Sequence, residues 1–440
     1  MSKCSLFVLL TMFIGVLPVV AQIRGNSIQV TVVPDHQDWR YEVGETATFK
    51  VCVTKSNTLL DNVTVDYAAG PEMYQDVKKQ GVVLKDGTLT LKGKMTKPGF
   101  YRVDVTAHVN DKEYKGACGA AFSPEKLQPT TVMPDDFSDY WQKTIREARK
   151  IDLNPTKRLL PERCTKDVNV YEISFQNIQW NWRTYGILCV PVDKDAEANP
   201  GKIKRYPALL RVPGAGVRPY GGDTYSAQQG VITLEIGIHG IPVTMEQGVY
   251  DDLHNGALQG YWEYNMDNRE KHYYHHVIMG CIRALDYIQQ YTPWNGKGLG
   301  VTGSSQGGFL TLATAGLDKR ITCYAPVHAA LCDHTNSLKG IACGWPHYFY
   351  WNKGQGQERQ IETSRYYDGV NFARLINQNQ KGWFSFGYND DVVPPTTAWS
   401  TYNTVNGPKE IKPYQATWHY WHQEQWDEWE DWLLKELKKL

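Results

Sequence analysis

Between Ile28 and Phe122 apolar and polar residues alternate in short runs: IQVTVVP, ATFKVCVTKS, VTVDYAAG, TLTLKGKM and GFYRVDVTAHVN. A period of two sends successive side chains to opposite faces of an extended strand, so each run predicts a strand with one buried face. Turn signals such as Lys85-Asp86-Gly87 and Lys97-Pro98-Gly99 separate the runs. Regular short strands with turns between them predict an antiparallel β-sandwich of immunoglobulin-like type over residues 22–127. Cys52 and Cys118 fall inside it and either bridge it or stay as two buried free thiols.

After KLQPTTVMPDD the period changes to helical in DDFSDYWQKTIREARK, with Asp135 or Asp136 as N-cap, and a second domain is expected over 128–440. Strand-like runs VYEISFQNI, TYGILCVPV, YPALLRVPG and GVITLEIGI follow. The helix REKHYYHHVIMGCIRALDYIQQY comes next, with Ile278, Ile282, Leu285 and Ile288 as one buried stripe, and then LGVTG. Alternation of strand and helix predicts an α/β domain whose mainly parallel sheet is covered on both faces. The last stretch, EQWDEWEDWLLKELKKL, puts Trp426, Trp429, Leu433 and Leu437 on one face of a closing helix whose lysines lie near its C-terminus.

Composition adds bounds. A chain of 440 residues, 42% hydrophobic, is long enough for two cores. Lys+Arg 47 against Asp+Glu 47 leaves no net charge, which argues against coating nucleic acid or binding a membrane through a polybasic face. The 15 Trp and 27 Tyr can fill cores, and such flat faces with polar edges also stack on sugar rings. At the N-terminus Lys3, an apolar run from Leu6 to Val20 and the small Ala21 read as a signal peptide cleaved after Ala21, so a secreted or periplasmic protein with no membrane anchor is expected. Cys4 leaves with it. The eight remaining cysteines form no C-x-x-C pair or His/Cys cluster, so neither a metal nor another cofactor is expected.

The stretch GLGVTGSSQGGFLTLATAG carries a G-x-S-x-G signature in which Gly303 and Gly307 bracket Ser305. Leu299 to Thr302 reads as a strand and Gly308 to Ala313 as a helix, the order that exposes a nucleophilic serine on a strained turn. The Gln306 N–H, at the helix N-terminus, can then donate to a developing oxyanion. A second donor is expected from the turn Pro213-Gly214-Ala215-Gly216, with the Ala215 N–H favoured. The partners of such a serine follow it as acid and then histidine, each after a later strand. Gly387-Tyr388-Asn389-Asp390-Asp391 leaves the strand Trp383 to Phe386, which makes Asp390 the acid and Asp391 the alternative. His419 and His422 are the histidines beyond the next strand, and one of them is the base. His239, His275, His276 and His328 precede the acid and are read as structural or surface groups, with His239 lining the site as a substrate-binding residue.

The segment GSSQGGFLTLATAGLD resembles the nucleophile region of the acetyl xylan esterase and cephalosporin C deacetylase family, carbohydrate esterase family seven. Tyr367 to Ala373, Asp390 with Pro394-Pro395, Gly407 to Ile411 and the entry helix DFSDYWQKTIREARK are similar to that family's blocks as well. The resemblance implies an α/β-hydrolase fold with Ser305 as nucleophile, Asp390 as acid, His419 as base, and Gln306 with Ala215 as oxyanion donors. Two departures concern pocket shape and substrate. Glu235 to Gly240 stands where the family carries R-G-Q-G, and Tyr420 where a glutamate usually follows the histidine. The sandwich is an addition to the usual family chain, so the family's hexamer does not carry over and a homo-oligomer stays an open question. The activity implied is removal of O-acetyl groups from xylan-derived or related plant-glycan saccharides. The alternatives are a broader carboxylester hydrolase or peptidase, or a glycan-binding protein that has lost catalysis.

Overall fold

The structure is a computed structural model that describes residues 26–179, 182–194 and 203–440. The segment 1–21 read as a signal peptide lies outside the described residues. N-terminally, two sheets share one apolar cluster. One has the order Ile28–Pro34, Thr46–Lys55, Thr58–Leu59, with Thr88–Lys94 also on Thr46–Lys55; the other runs Arg40–Tyr41, Lys112–Phe122, Gly99–Val109, Val63–Pro71, Val77–Leu84. Alternate residues Ala47, Phe49, Val51 and Val53 of the first sheet and Val103, Val105, Cys118, Ala120 and Phe122 of the second are buried in the same cluster. That is what a period of two requires of two sheets packed face to face. Cys52 and Cys118 are free thiols, as are the other described cysteines.

Two long strands of this region escape the alternation rule. Val77–Leu84 is exposed along most of its length, so its polar residues mark an edge and not a buried face. Lys112–Phe122 reads KEYKGACGAAF, with glycine and alanine where strand propensity favours branched side chains.

Among the described residues beyond it, nine strands form one mixed sheet in the order Thr156–Leu159, Val168–Gln176, Arg183–Pro191, Ile232–Ile236, Tyr206–Arg211, Trp294–Ser304, Cys323–Val327, Lys381–Phe386, Lys409–Pro413. The pairings up to Arg183–Pro191 with Ile232–Ile236 are antiparallel, and every later one is parallel. This is the sheet of an α/β-hydrolase fold. Its parallel strands are covered on both faces, which is why CYAPV and KGWFSF are buried almost throughout. The helix Tyr273–Tyr291 buries the expected stripe and nearly everything else from Tyr273 to Ile288, because it is enclosed on more than one side. The closing helix Gln423–Lys438 seats Trp429, Leu433 and Leu437 against Leu209, Cys323 and Trp383 on the sheet. None of the described helices is long and apolar enough to cross a membrane.

The chain crosses from the two N-terminal sheets to the nine-stranded sheet through the short turn Pro124–Lys126. Asp136 takes the N-cap position of the helix Phe137–Arg149, but its carboxylate binds Arg269 and the Tyr366 hydroxyl instead of capping the helix. Phe100, Ala121 and Leu127 pack with Phe386, Tyr388 and Trp399 in one buried cluster, so the two parts meet through a core of their own.

Glu72 is buried in this interface, 4% exposed, where it accepts hydrogen bonds from the Thr396 hydroxyl at 2.7 Å and the Thr396 N–H at 3.4 Å. Burial pushes its pKa up to about 8, and the Thr396 bonds and the Arg102 charge offset only part of that. The unfolded chain gives up this proton near a glutamate's ordinary value of about 4.3. The folded protein keeps it to a higher pH, so this group's contribution to stability falls as pH rises from about 4.3 to about 8. Glu72→Gln is therefore expected to stabilise the protein near neutral pH by on the order of 3 kcal/mol. Thermal melts near pH 7.5 and pH 4 check this, since the gain disappears at the lower pH.

Candidate active site

Ser305 is the single residue between the strand Trp294–Ser304 and the helix Gln306–Leu317, and its backbone has φ 61 and ψ −122. A non-glycine residue holds so unfavourable a conformation only where its surroundings over-determine it. Its N–H donates to the Val327 carbonyl at 2.9 Å, and its carbonyl accepts from the N–H groups of Gly308 at 2.8 Å and Ala330 at 3.0 Å. The flanking glycines are required by approach. A Cβ on Gly303 or Gly307 would overlap the Val212 carbonyl oxygen, and one on Gly308 would overlap the backbone of Ala329.

The loops after the strands Lys381–Phe386 and Lys409–Pro413 bring two further side chains to this serine. His419 Nε2 lies 3.0 Å from Ser305 Oγ, and His419 Nδ1 lies 2.8 Å from Asp390 Oδ2. Asp390 is fully buried, and its Oδ1 accepts from the N–H groups of Val392 at 3.0 Å and Val393 at 2.8 Å. Burial alone would raise its pKa. The hydrogen bonds and charges of His328 and His419 outweigh that and hold the carboxyl well below the usual carboxylate range. An ionised carboxylate only accepts, so His419 carries its proton on Nδ1 and leaves Nε2 to accept from the serine hydroxyl. Asp391 and His422, the alternatives from the sequence, are both exposed, His422 as the N-cap of the closing helix.

His328 is a member of this cluster that chain order does not reveal. It is 1% exposed, and its Nδ1 lies 3.1 Å from the same Asp390 oxygen that meets His419. The one signal available is position: it follows the strand Cys323–Val327, next to the nucleophile strand in the sheet. Among the described residues, His328, Asp390 and His419 are the group whose ligand atoms, all within 4.8 Å, could enclose a cation. Their 2.8 and 3.1 Å separations are those of N–H···O hydrogen bonds.

The turn Pro213-Gly214-Ala215-Gly216 lies against the serine: a Cβ on Gly214 would stand 3.9 Å from that of Ser305. Gln306 fastens it there. Its side-chain Nε2 donates to the carbonyls of Pro213 at 3.3 Å and Gly214 at 3.4 Å, while its Oε1 accepts from the hydroxyls of Tyr261 at 2.6 Å and Tyr274 at 2.7 Å. The Gln306 backbone N–H belongs to the first helical turn, where donors have no partner within the helix. His239 serves the same turn. Burial lowers its pKa to about 4, so at neutral pH it is uncharged. Its Nε2 lies 3.0 Å from the Gly216 carbonyl, to which it donates, and its Nδ1 accepts from the Tyr273 hydroxyl at 2.6 Å. Both ring nitrogens are thus engaged by protein groups. Glu235, at the start of the stretch that departs from R-G-Q-G, accepts from the Gly222 N–H at 2.8 Å.

A hydroxyl on a strained turn, an imidazole that can take its proton and a buried carboxylate behind the ring are the parts of nucleophilic acyl transfer. Residues 124–436 match the family described as acetyl xylan esterase (AXE1). The chain belongs to the acetyl xylan esterase family. It is similar to the acetyl esterase Axe7A of Xylanibacter ruminicola, at 34% identity over 403 residues, 90% of this chain and 88% of that protein. The acetyl xylan esterase from Paenibacillus sp. R4 superposes with a TM-score of 0.59 at 24% identity, covering 70% of this chain and 97% of its own. Acetyl xylan esterase 1 from Thermoanaerobacterium sp. JW/SL YS485 gives 0.57 at 21%, covering 71% and 97%. These two show the shared α/β-hydrolase fold. As a member of the acetyl xylan esterase family, the protein is a carboxylic ester hydrolase.

Asp390→Asn is expected to cut kcat by roughly 10⁴-fold, because an amide can donate where the ring N–H needs an acceptor and favours the wrong tautomer. Steady-state hydrolysis of 4-nitrophenyl acetate by the folded variant checks this.

Proposed function

We propose that the protein is an exported serine esterase that removes O-acetyl groups from xylan-derived or related plant-glycan saccharides. The observation that carries this reading is the hydrogen-bonded series Ser305 Oγ, His419, Asp390, with separations of 3.0 and 2.8 Å, in a chain of the acetyl xylan esterase family. Ser305 Oγ attacks the acetyl carbonyl while His419 Nε2 takes its proton, and Asp390 stabilises the resulting imidazolium. The carbonyl oxygen becomes an oxyanion facing the N–H groups of Gln306 and Ala215. His419 then gives the proton to the departing sugar oxygen, which leaves an acetylated serine. A water molecule, deprotonated by the same imidazole, releases acetate and restores the hydroxyl.

The acetyl group is supported by the names of the relatives, an acetyl esterase and acetyl xylan esterases. Sugar binding is supported by aromatic surface beside the base. Tyr420 and Trp421 directly follow His419 and are 46% and 42% exposed, faces of the kind that stack on pyranose rings. Export is supported by Lys3, the apolar run and Ala21 at the N-terminus.

Ser305→Ala is expected to abolish the burst of nitrophenol from 4-nitrophenyl acetate and to reduce turnover by more than about 10⁴-fold. Acetate release from acetylated xylo-oligosaccharides should fall in parallel. An undiminished rate in the variant sinks the mechanism, and faster cleavage of peptide amides than of acetyl esters by the wild type sinks the substrate class.

A further inference from the structure

We propose that the N-terminal sandwich is a positioning element of the active site, with Arg102 and Asn389 clamping the loops that carry Asp390 and His419. The inference rests on the Ser305, His419, Asp390 reading and extends it to residues outside the region 124–436 that matches the family.

The argument begins at a sheet edge. The strand Lys112–Phe122 pairs along its length with Gly99–Val109, but among the described residues its other side is matched only by the strand Arg40–Tyr41, opposite Ala121 and Phe122. Its next backbone groups on the way back, at Gly119 and Ala117, meet a side chain of the hydrolase sheet's acid loop. The Gly119 N–H donates to Asn389 Oδ1 at 2.9 Å, and Asn389 Nδ2 donates to the Ala117 carbonyl at 3.0 Å. One carboxamide thus continues the ladder as a surrogate strand, satisfying buried backbone groups that would otherwise be left unpaired. The approach is close enough to demand glycine at 119, where a Cβ would overlap the Tyr388 carbonyl oxygen.

Arg102, the register partner of Gly119 on the neighbouring strand, makes the second grip. It is 5% exposed, and Asp104 holds its Nε at 2.9 Å. Its Nη1 donates to the Asn389 carbonyl at 3.0 Å, and its guanidinium lies over the Trp418 ring, 5.0 Å from the centroid. The two hydrolase-sheet residues it touches each stand immediately before a member of the proposed triad, Asn389 before Asp390 and Trp418 before His419. The loops are also joined directly, by the Tyr388 N–H to the Gln415 carbonyl at 3.1 Å and the Asn389 N–H to the Thr417 carbonyl at 3.2 Å. A rigid guanidinium fork with a planar face suits such a double contact in a way a flexible ammonium does not. The result is that the sandwich sets the relative position of carboxylate and imidazole, for which an error of about 1 Å lowers a rate by roughly 10²-fold.

The test compares Arg102→Met, Arg102→Lys and Asn389→Ala with Thr396→Val in the full chain. Thr396→Val removes the Thr396 hydroxyl's bond to Glu72 in the same interface and leaves the Arg102 and Asn389 contacts in place. Expected for Arg102→Met and Asn389→Ala is a fall in kcat on 4-nitrophenyl acetate of roughly 10- to 100-fold with KM little changed. The low-field proton resonance of the His419–Asp390 hydrogen bond should shift or broaden with it. Arg102→Lys should recover part of the loss, and Thr396→Val should keep wild-type kcat and resonance. The proposal is overturned if Arg102→Met and Asn389→Ala keep wild-type kcat and resonance, or if Thr396→Val loses as much as they do. Should Arg102→Met fail to fold, Asn389→Ala decides alone. An inactive Ser305→Ala beside fully active clamp variants rejects the clamp and spares the mechanism; an active Ser305→Ala rejects the mechanism itself.

Discussion

The structure depends on one buried carboxylate. Asp390 is removed from water, and in an apolar surrounding it would keep its proton and be useless for orienting a base. Four N–H donors reverse that balance: two backbone groups at Val392 and Val393 on one oxygen, and two imidazoles, His328 and His419, on the other. The backbone pair fixes the loop, and the imidazole pair divides into a ring that stays inside and a ring that reaches the serine. Since Oδ2 serves both rings, the direction from which His419 approaches is set partly by where His328 already sits. The carboxylate is therefore the middle of a small polar centre built from the loops after three neighbouring strands, and the geometry at Ser305 follows from how those loops are held.

The same economy of space governs the other side of the serine. Backbone carbonyls and amides converge where Gly303, Gly307 and Gly308 let strands and helix approach, and Gln306 converts that closeness into order. Its side chain faces the carbonyls of Pro213 and Gly214 while two tyrosine hydroxyls fill its acceptor, so a single amide serves four partners and fastens the turn. Neutral His239 braces the next carbonyl at Gly216. Preorganised donors count for more than flexible ones because no reorganisation is needed when charge develops.

Much of this was legible in the sequence because the constraint acts along the chain. Ser305 announces itself by glycines that the turn requires, and Asp390 and His419 by standing after successive strands. His328 and the clamp residues were not legible, because their partners lie 62, 270 and 287 residues away and no local pattern records such pairings. The strand Lys112–Phe122 shows the point from the other direction. Its glycines and alanines weaken it as a strand by propensity, yet Gly119 is what permits the hydrolase loop to come within bonding distance, and Gly116 is what admits the backbone of Val30. Local preference gave way to a contact that only the folded chain reveals. Pro213 to Gly216 falls between: a turn was evident, but its attachment through Gln306 to Tyr261 and Tyr274 required the fold.

The interface between the N-terminal sheets and the hydrolase sheet also bears on why the N-terminal region should touch this site with polar groups. An apolar contact, such as the cluster of Phe100, Leu127 and Trp399, supplies adhesion but tolerates sliding, since burial free energy is nearly indifferent to register. Hydrogen bonds from an arginine fork and a carboxamide are directional and fail within a fraction of an ångström. Desolvating such groups brings little net stability, and leaving one unpaired is strongly unfavourable. Placed at the residues preceding Asp390 and His419, they make any displacement of the sandwich unfavourable at the positions where displacement would matter most to the serine. Adhesion and alignment are thus assigned to different parts of one interface, the first to its aromatic core and the second to its polar edge.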